Sequence, residues 1–375
     1  MSEILYLTHT DIRSDSRILK EMEAASIGGY QVFGIGVEMR EGSKNTSPSH
    51  LRVTTLRLLS RAAVFLPKPL RHFLTFLELF FRCSWCTINV RPSIIHANDT
   101  MVLPIAVFLK LLCRARLVYD AHELESDRNG LSKPLGIVTK LVEKVCWPFV
   151  NGLIVVSPSI QDWYNHNIGL KTSEVILNSP VYEVSDQPNK RYLRDKFGIS
   201  QGELIFIYVG ILGHGRGIDL ILDAFEAVQG AHVVFLGYGE YVDRLNERAR
   251  IHVNVHVHEA VEHNKVVEVA SSADVGLCLV QNVSLSDYYC LPNKLFEYAF
   301  ANLPVLASDF PDIRRVVDDY SLGRCVELSS ESVQSGIKWF IENHENLNPP
   351  KRDIRSLSWQ DQERKLLKFY QDIIQ

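Results

Sequence analysis

From Leu204 onward the chain alternates short apolar runs with helical patterns almost without a break, and this constrains the fold more than any other feature. Strands are expected at Leu204–Val209, Val233–Leu236, Val253–Val257, Val275–Val280 and Pro304–Ala307. Helices are expected between them at Leu220–Val228, Tyr241–Ala249, Lys265–Ser271 and Lys294–Phe300. Parallel neighbours need a long crossover, usually a helix, so the series predicts a parallel, doubly wound α/β sheet. The first half repeats the theme. A strand at Ile4–Thr8, a helix at Arg17–Ile27 closed by Gly28 and Gly29, and a strand at Tyr30–Val37 form a βαβ unit. Ile94–His96, Leu117–Tyr119 and Leu153–Val156 are apolar runs followed by polar residues, as expected of buried strands whose functional loops leave their C-terminal ends; helices are expected at Val102–Leu112 and Ile137–Val145.

A chain of 375 residues with 46% hydrophobic content suits two such domains. The polar stretch between Pro180 and Pro188 reads as a linker. The expected organisation is a first Rossmann-like domain over residues 1–180, a linker over 181–190, a second Rossmann-like domain over 191–353 and a closing segment over 354–375. In that segment Leu366, Leu367, Tyr370, Ile373 and Ile374 share one helical face.

The formal net charge of −4 and the lack of a long basic run argue against nucleic acid as a partner. Seven scattered cysteines suggest neither a disulfide framework nor a zinc site, and the Cys83/Cys86 spacing lies in a bulky apolar stretch without redox context. The opening MSEILYLTHTD reads as a first strand rather than a leader, and the expected compartment is the cytoplasm. No run reaches the roughly 18 uncharged apolar residues needed to span a bilayer; Phe73–Val90 is interrupted by Glu78 and Arg82.

Two segments carry the chemistry. Tyr208–Asp219 (YVGILGHGRGID) is a strand, a turn with Gly210, Gly213, Gly215 and Gly217, and a helix. Glycines let backbone N–H groups approach a phosphate, and the helix N-terminus adds about half a positive charge. Arg216 in that turn could pair with phosphate oxygens, or be a surface residue of an ordinary βα turn. The second segment, Asp287–Tyr298 (DYYCLPNKLFEY), runs from a loop into a helix. Pro292 precedes that helix, so Lys294 and Glu297 are expected in its first turn; the cation suits a diphosphate and the carboxylate suits ribose hydroxyls. Helix-dipole stabilisation and a solvated charge are the plainer readings of the same two residues.

Together these segments resemble the donor-binding half of GT-B glycosyltransferases, the retaining family called glycosyltransferase group 1. The resemblance implies two Rossmann-like domains facing a central cleft, with a C-terminal helix crossing back to the first domain. Arg216 matches the position of the family's diphosphate-binding Lys, and Ile211 stands where an Arg is usual. Glu297 matches the second Glu of the family's E-x7-E motif, which contacts ribose. Tyr289 replaces the first, which contacts the sugar. Implied donor-binding residues are Gly210, Gly213, Gly215, Arg216, Gly237, Val261, Pro292, Asn293, Lys294, Leu295 and Glu297. Asp15–Glu21 (DSRILKE) looks like the family's first helix, and Val118–Glu123 (VYDAHE) like its strand-end histidine motif. His122 would face donor sugar and diphosphate, joining Arg216 and Lys294 as catalytic residues. Asp15, Arg17 and Asp99 are expected on the acceptor side, although Asp15 and Asp99 also read as helix caps.

The implied reaction is a retaining, front-face transfer from a UDP- or GDP-linked sugar to a glycan or lipid-linked acceptor, as in cell-surface polysaccharide or lipopolysaccharide synthesis. It needs no metal and no cofactor beyond the nucleotide sugar as co-substrate, the acidic pair Asp318 and Asp319 being read as surface charge. Residues 52–91 hold seven Arg and Lys against one acidic residue, interleaved with Phe65, Phe73, Phe76, Phe80, Phe81 and Trp85. That pattern suits a peripheral contact with an anionic membrane, or a helix packed on the sheet. A UDP-sugar 2-epimerase of the same fold and a non-catalytic subunit are the rival readings.

Overall fold

The computed structural model describes residues 3–38, 48–88, 90–182, 189–344 and 352–375. It divides into one unit of residues 1–176 with 363–375, and a second of residues 177–362. Of the expected linker, residues 183–188 lie outside the described residues.

The first unit contains, in order, β1 (Glu3–Leu7), α1 (Ser16–Ile27), β2 (Gln31–Val37), β3 (Arg52–Leu56), α2 (Lys68–Ile88), β4 (Ile94–Asn98), α3 (Leu103–Cys113), β5 (Arg116–Ala121), α4 (Lys133–Cys146), β6 (Gly152–Val155), α5 (Pro158–Asn167) and β7 (Thr172–Val175). Its seven strands form a parallel sheet in the order β3-β2-β1-β4-β5-β6-β7. Strand order reverses between β1 and β4, the place where open α/β sheets bind ligands at their carboxyl ends. The second unit runs α6 (Tyr192–Phe197), β8 (Leu204–Ile211), α7 (Ile218–Glu226), β9 (Ala231–Tyr238), α8 (Val242–Ile251), β10 (Val255–Glu259), α9 (Val266–Ala270), β11 (Val275–Cys278), α10 (Leu285–Tyr288), α11 (Asn293–Phe300), β12 (Val305–Ser308), α12 (Pro311–Tyr320), β13 (Gly323–Val326) and α13 (Ser330–Asn343). Its parallel sheet has the order β10-β9-β8-β11-β12-β13, with the reversal between β8 and β11.

Both sheets are covered on two faces, so their central strands are largely buried and mostly apolar, β4 and β11 along their whole length and β8 over its first six residues. Phe206, Phe225, Phe235 and Phe340 fill the core between β8, β9, α7 and α13. The last helix, α14 (Trp359–Ile374), begins beside the connector: the Trp359 N–H donates to the Pro180 carbonyl, and the Gln360 amide exchanges two hydrogen bonds with the Tyr182 backbone. Its later residues belong to the first unit, where Leu366, Phe369, Tyr370 and Ile373 are buried. The expected face is therefore corrected: Phe369 packs over Gly152, and Ile374 is exposed.

Candidate functional site

The second unit's carboxyl edge is built by backbone contact. β8 and β9 pair to their ends with Gly210 opposite Gly237, and a Cβ on Gly237 would lie 1.9 Å from the Gly210 carbonyl oxygen. Only glycine permits that approach. The turn then delivers Gly217 at φ +71° to the start of α7, where a Cβ would meet the Leu279 carbonyl at 2.1 Å. Gly213 faces Glu240, whose carboxylate accepts from the His214 N–H at 3.3 Å.

Tyr298 on α11 seats the second motif against this turn. Fully buried over Gly276, its hydroxyl accepts from the Val209 N–H at 2.9 Å and lies 3.0 Å from the Ile207 carbonyl. Lys294 is thereby carried over the strand end, with Nζ 3.5 Å from the centroid of the Tyr208 ring and close above Gly210. The two motifs are thus brought together. Neither α7 nor α11 has a capping side chain at its start, so first-turn N–H groups point at the same edge, each with the positive end of a helix dipole. Arg216 stands 4.0 Å from Asp287, with 38% of its side chain exposed. A pair that loose contributes little, and its guanidinium can turn to an anion at small cost.

Glu297 is corrected in one respect: with α11 starting at Asn293, it opens the second turn rather than lying in the first. Its carboxylate is buried, with His263 at 3.9 Å. Leu295 is wholly buried and its N–H donates to the Pro292 carbonyl at 3.0 Å, so it seats the helix. Pro292, Asn293 and Val261 are half-buried, Val261 two residues past β10. Tyr289 follows α10, its ring packed on Tyr288. Burial pushes the Cys278 thiol up to about 12 and Cys290 also upward, which leaves neither as a nucleophile at neutral pH.

In the first unit Asp15 caps α1, accepting from the Arg17 and Ile18 N–H groups. Arg17 is buried, its guanidinium on both oxygens of Asp120 at 3.0 Å and on the Ile176 carbonyl at 3.1 Å. Glu21, His96, Tyr6 and Tyr370 complete this interior network. Burial and the Asp120 charge hold the Glu21 carboxyl well above its ordinary range against the pull of Arg17, while Asp120 stays low beside Arg17 and His96 despite its burial.

A second cluster stands where β1, β4 and β5 end. Asp99, at φ +73°, lies 3.2 Å from His9 Nδ1 and 3.3 Å from His122 Nε2. Glu125 lies beside it, 3.5 Å from Arg128. Burial works against the Asp99 charge, but the two histidines hold its carboxyl below the usual range; burial and Asp99 push Glu125 upward. The sequence reading missed His9, Tyr208 and Glu125. His9 follows an apolar strand just as His122 does, which was the available signal. Two sets among the described residues offer metal-ligand atoms within 4.8 Å of one another: Glu21, His96 and Asp120, and Asp99, His122 and Glu125. The first set already surrounds the Arg17 guanidinium; the second has the donor types that could hold a divalent ion.

Residues 189–355 match the family described as glycosyl transferases group 1. The chain is similar to the chitobiosyldiphosphodolichol beta-mannosyltransferase of Candida albicans, 22% identical over 260 residues, and to that of Kluyveromyces lactis, 20% identical over 356 residues. These matches cover 62% and 84% of this chain, and 56% and 77% of those proteins, so the first spans little more than half of its relative. Among solved structures, the sucrose-phosphate synthase of Thermosynechococcus elongatus has a TM-score of 0.73 at 14% identity, covering 100% of this chain and 96% of that one. Anabaena HepE in complex with UDP-glucose has a TM-score of 0.70 at 16% identity, covering 100% and 98%. At such identities the likeness is one of fold. Two all-parallel Rossmann-like units, the second ending in a glycine turn that meets a Lys-bearing helix, give the chain the fold of the GT-B glycosyltransferases. The match to the glycosyl transferases of group 1 lies within the second unit.

Proposed function

We propose that the protein moves a sugar from a UDP- or GDP-linked donor to a glycan or lipid-linked acceptor, in building a cell-surface polysaccharide or lipopolysaccharide. The observation that carries this reading is the convergence of Lys294, the glycine turn and two uncapped helix starts on one strand edge. A diphosphate supplies the two negative groups such an edge would neutralise. Charge on the departing nucleotide would be stabilised by Lys294, Arg216 and the helix N-termini, without a metal. Buried Glu297 is suited to ribose hydroxyls.

The acceptor-side unit also has a surface suited to lipid. Among the described residues no helix is long and apolar enough to cross a membrane. On α2 only Leu79, Cys83 and Thr87 are buried; Leu70, Phe73, Phe81, Trp85 and Ile88 are exposed, with Lys68, Arg71 and Arg82 on the same helix. Such a helix fits peripheral binding to an anionic membrane on the cytoplasmic side, where a lipid-linked acceptor would be presented.

The test is to incubate the protein with UDP-glucose or GDP-mannose and octyl glucoside, with and without EDTA, and to identify products by mass spectrometry. A new glycoside that forms equally with EDTA is the expected result. Free nucleotide without glycoside would instead favour a 2-epimerase of the same fold.

A further inference from the structure

We propose that Tyr208 is a positioning residue of the donor site, its ring face holding the Lys294 ammonium over the strand end without neutralising it. This rests on the nucleotide-sugar reading above and concerns the second unit alone. Lys294 is the second residue of α11, where the helix dipole disfavours a cation. The uncapped start of α7 brings a second positive end to the same edge. Some attraction has to hold the ammonium there against both.

Among the described residues no carboxylate does so. Arg216 has Asp287 at 4.0 Å and Lys196 has Glu259 at 2.9 Å, but Lys294 makes no ion pair. Glu297, one turn further along the helix, has His263 at 3.9 Å instead. What lies against the Lys294 Nζ is the Tyr208 ring, its centroid 3.5 Å away, well inside the roughly 6 Å over which a ring face attracts a cation. The ring is itself fixed. Tyr208 is wholly buried, its hydroxyl donates to the Ile211 carbonyl at 3.0 Å, and Phe235 packs on it with centroids 6.0 Å apart. Two residues on, Gly210 points to the same face of β8, and Nζ stands 3.8 Å from where its Cβ would be. With no side chain at Gly210, the space beside the ammonium stays open.

A carboxylate in the ring's place would hold the ammonium as well, but it would cancel the charge and accept the N–H groups. An aromatic face attracts through its quadrupole, so the full charge remains, and the N–H groups turned away from the ring are left for phosphate oxygens. The ring also restrains a flexible four-carbon stem before the anion arrives, which lowers the ordering cost of binding. Tyr208 thus acts on the donor through Lys294.

The experiment replaces Tyr208 in the full chain by phenylalanine and by its 4-fluoro, 3,5-difluoro and 3,4,5-trifluoro analogues. These keep the shape of the ring and weaken its negative face stepwise. Titration calorimetry with UDP-glucose and GDP-mannose at one salt concentration gives Kd for each protein, and a melting transition confirms that each is folded. From phenylalanine to the trifluoro analogue, affinity for the nucleotide sugar that binds should fall stepwise by about 3- to 10-fold in total, as the released side chain has to be ordered at each binding event. In a Lys294→Ala background, titrated at correspondingly higher nucleotide concentration, the same series should be flat, which a merely structural effect of fluorine on the strand would not give. A flat series with Lys294 present, an equal decline in Lys294→Ala, or a Tyr208→Phe protein that no longer binds although its ring face is intact overturns the inference and leaves the donor reading standing. A wild type that binds neither nucleotide sugar overturns both.

Discussion

Replacing Gly237 by alanine tests the construction of the donor edge at one atom. The added Cβ would stand 1.9 Å from the Gly210 carbonyl oxygen and 2.9 Å from its carbon, where real Cβ contacts stay beyond 3.0 Å. One strand end therefore has to retreat by about 1 Å, in a pair whose register continues unbroken through Ile205 to Ile211. Overpacking of this kind costs about 1–3 kcal/mol. At about 2–4 °C per kcal/mol for a unit of this size, the second unit should melt about 2–12 °C lower. Because the displaced carbonyl belongs to the strand that leads into the Arg216 turn, the stabilisation that UDP-glucose gives the wild type should also be lost. Differential scanning calorimetry with and without UDP-glucose reads both effects. Gly202→Ala is the control, since nothing lies within 4 Å of a Cβ there. A Gly237→Ala protein that melts within 1 °C of wild type and keeps its response to UDP-glucose would refute the packing argument.

Glu21→Gln should gain stability relative to wild type as pH climbs: a carboxyl held above its ordinary 4.5 contributes fully below that value and loses its contribution on the way up. The stability difference between the two proteins should be constant below about pH 4, then shift in favour of the variant by up to about 1.4 kcal/mol per pH unit, and parallel curves would contradict this. Lys294→Ala should weaken UDP-glucose binding about 10- to 150-fold by titration calorimetry, the loss of a charge-assisted contact of about 1.5–3 kcal/mol; unchanged affinity would remove Lys294 from the site. Vesicles containing phosphatidylglycerol should sediment the wild type at low salt, and Phe81→Ser with Trp85→Ser should reduce that binding at least about tenfold. Equal sedimentation of the two proteins would remove α2 from the membrane reading.

Central strands were legible in the sequence because burial on both faces writes them as continuous apolar runs, as in β8 with six consecutive buried residues. The edge strands β3 (RVTTL) and β7 (TSEV) were not, because one side meets solvent and the apolar signal is diluted. β10 begins two residues later than expected: Val253 is 88% exposed, and the Asn254 side chain donates to the Phe225 carbonyl at 2.7 Å, closing a turn before the strand. At the site, the glycine turn and the Pro292–Glu297 helix start are local chemistry and could be read residue by residue. What could not be read is their mutual placement: Lys294 over Tyr208 depends on Tyr298 reaching the Val209 backbone, and the partnership of His9 with Asp99 depends on β1 lying beside β4. Arg17 shows the converse, a conspicuous charge in a recognisable segment that the fold turns inward to Asp120.

The most direct test of the central claim is the melting temperature of the full chain against a panel of UDP, GDP, UDP-glucose, UDP-galactose and GDP-mannose, with Lys294→Ala run in parallel. Stabilisation follows RT ln(1 + [L]/Kd), about 2.7 kcal/mol at a hundredfold excess over Kd. One nucleotide sugar should stand apart and lose most of its effect in Lys294→Ala. A panel in which no nucleotide or nucleotide sugar moves the wild-type transition would contradict the donor site described here.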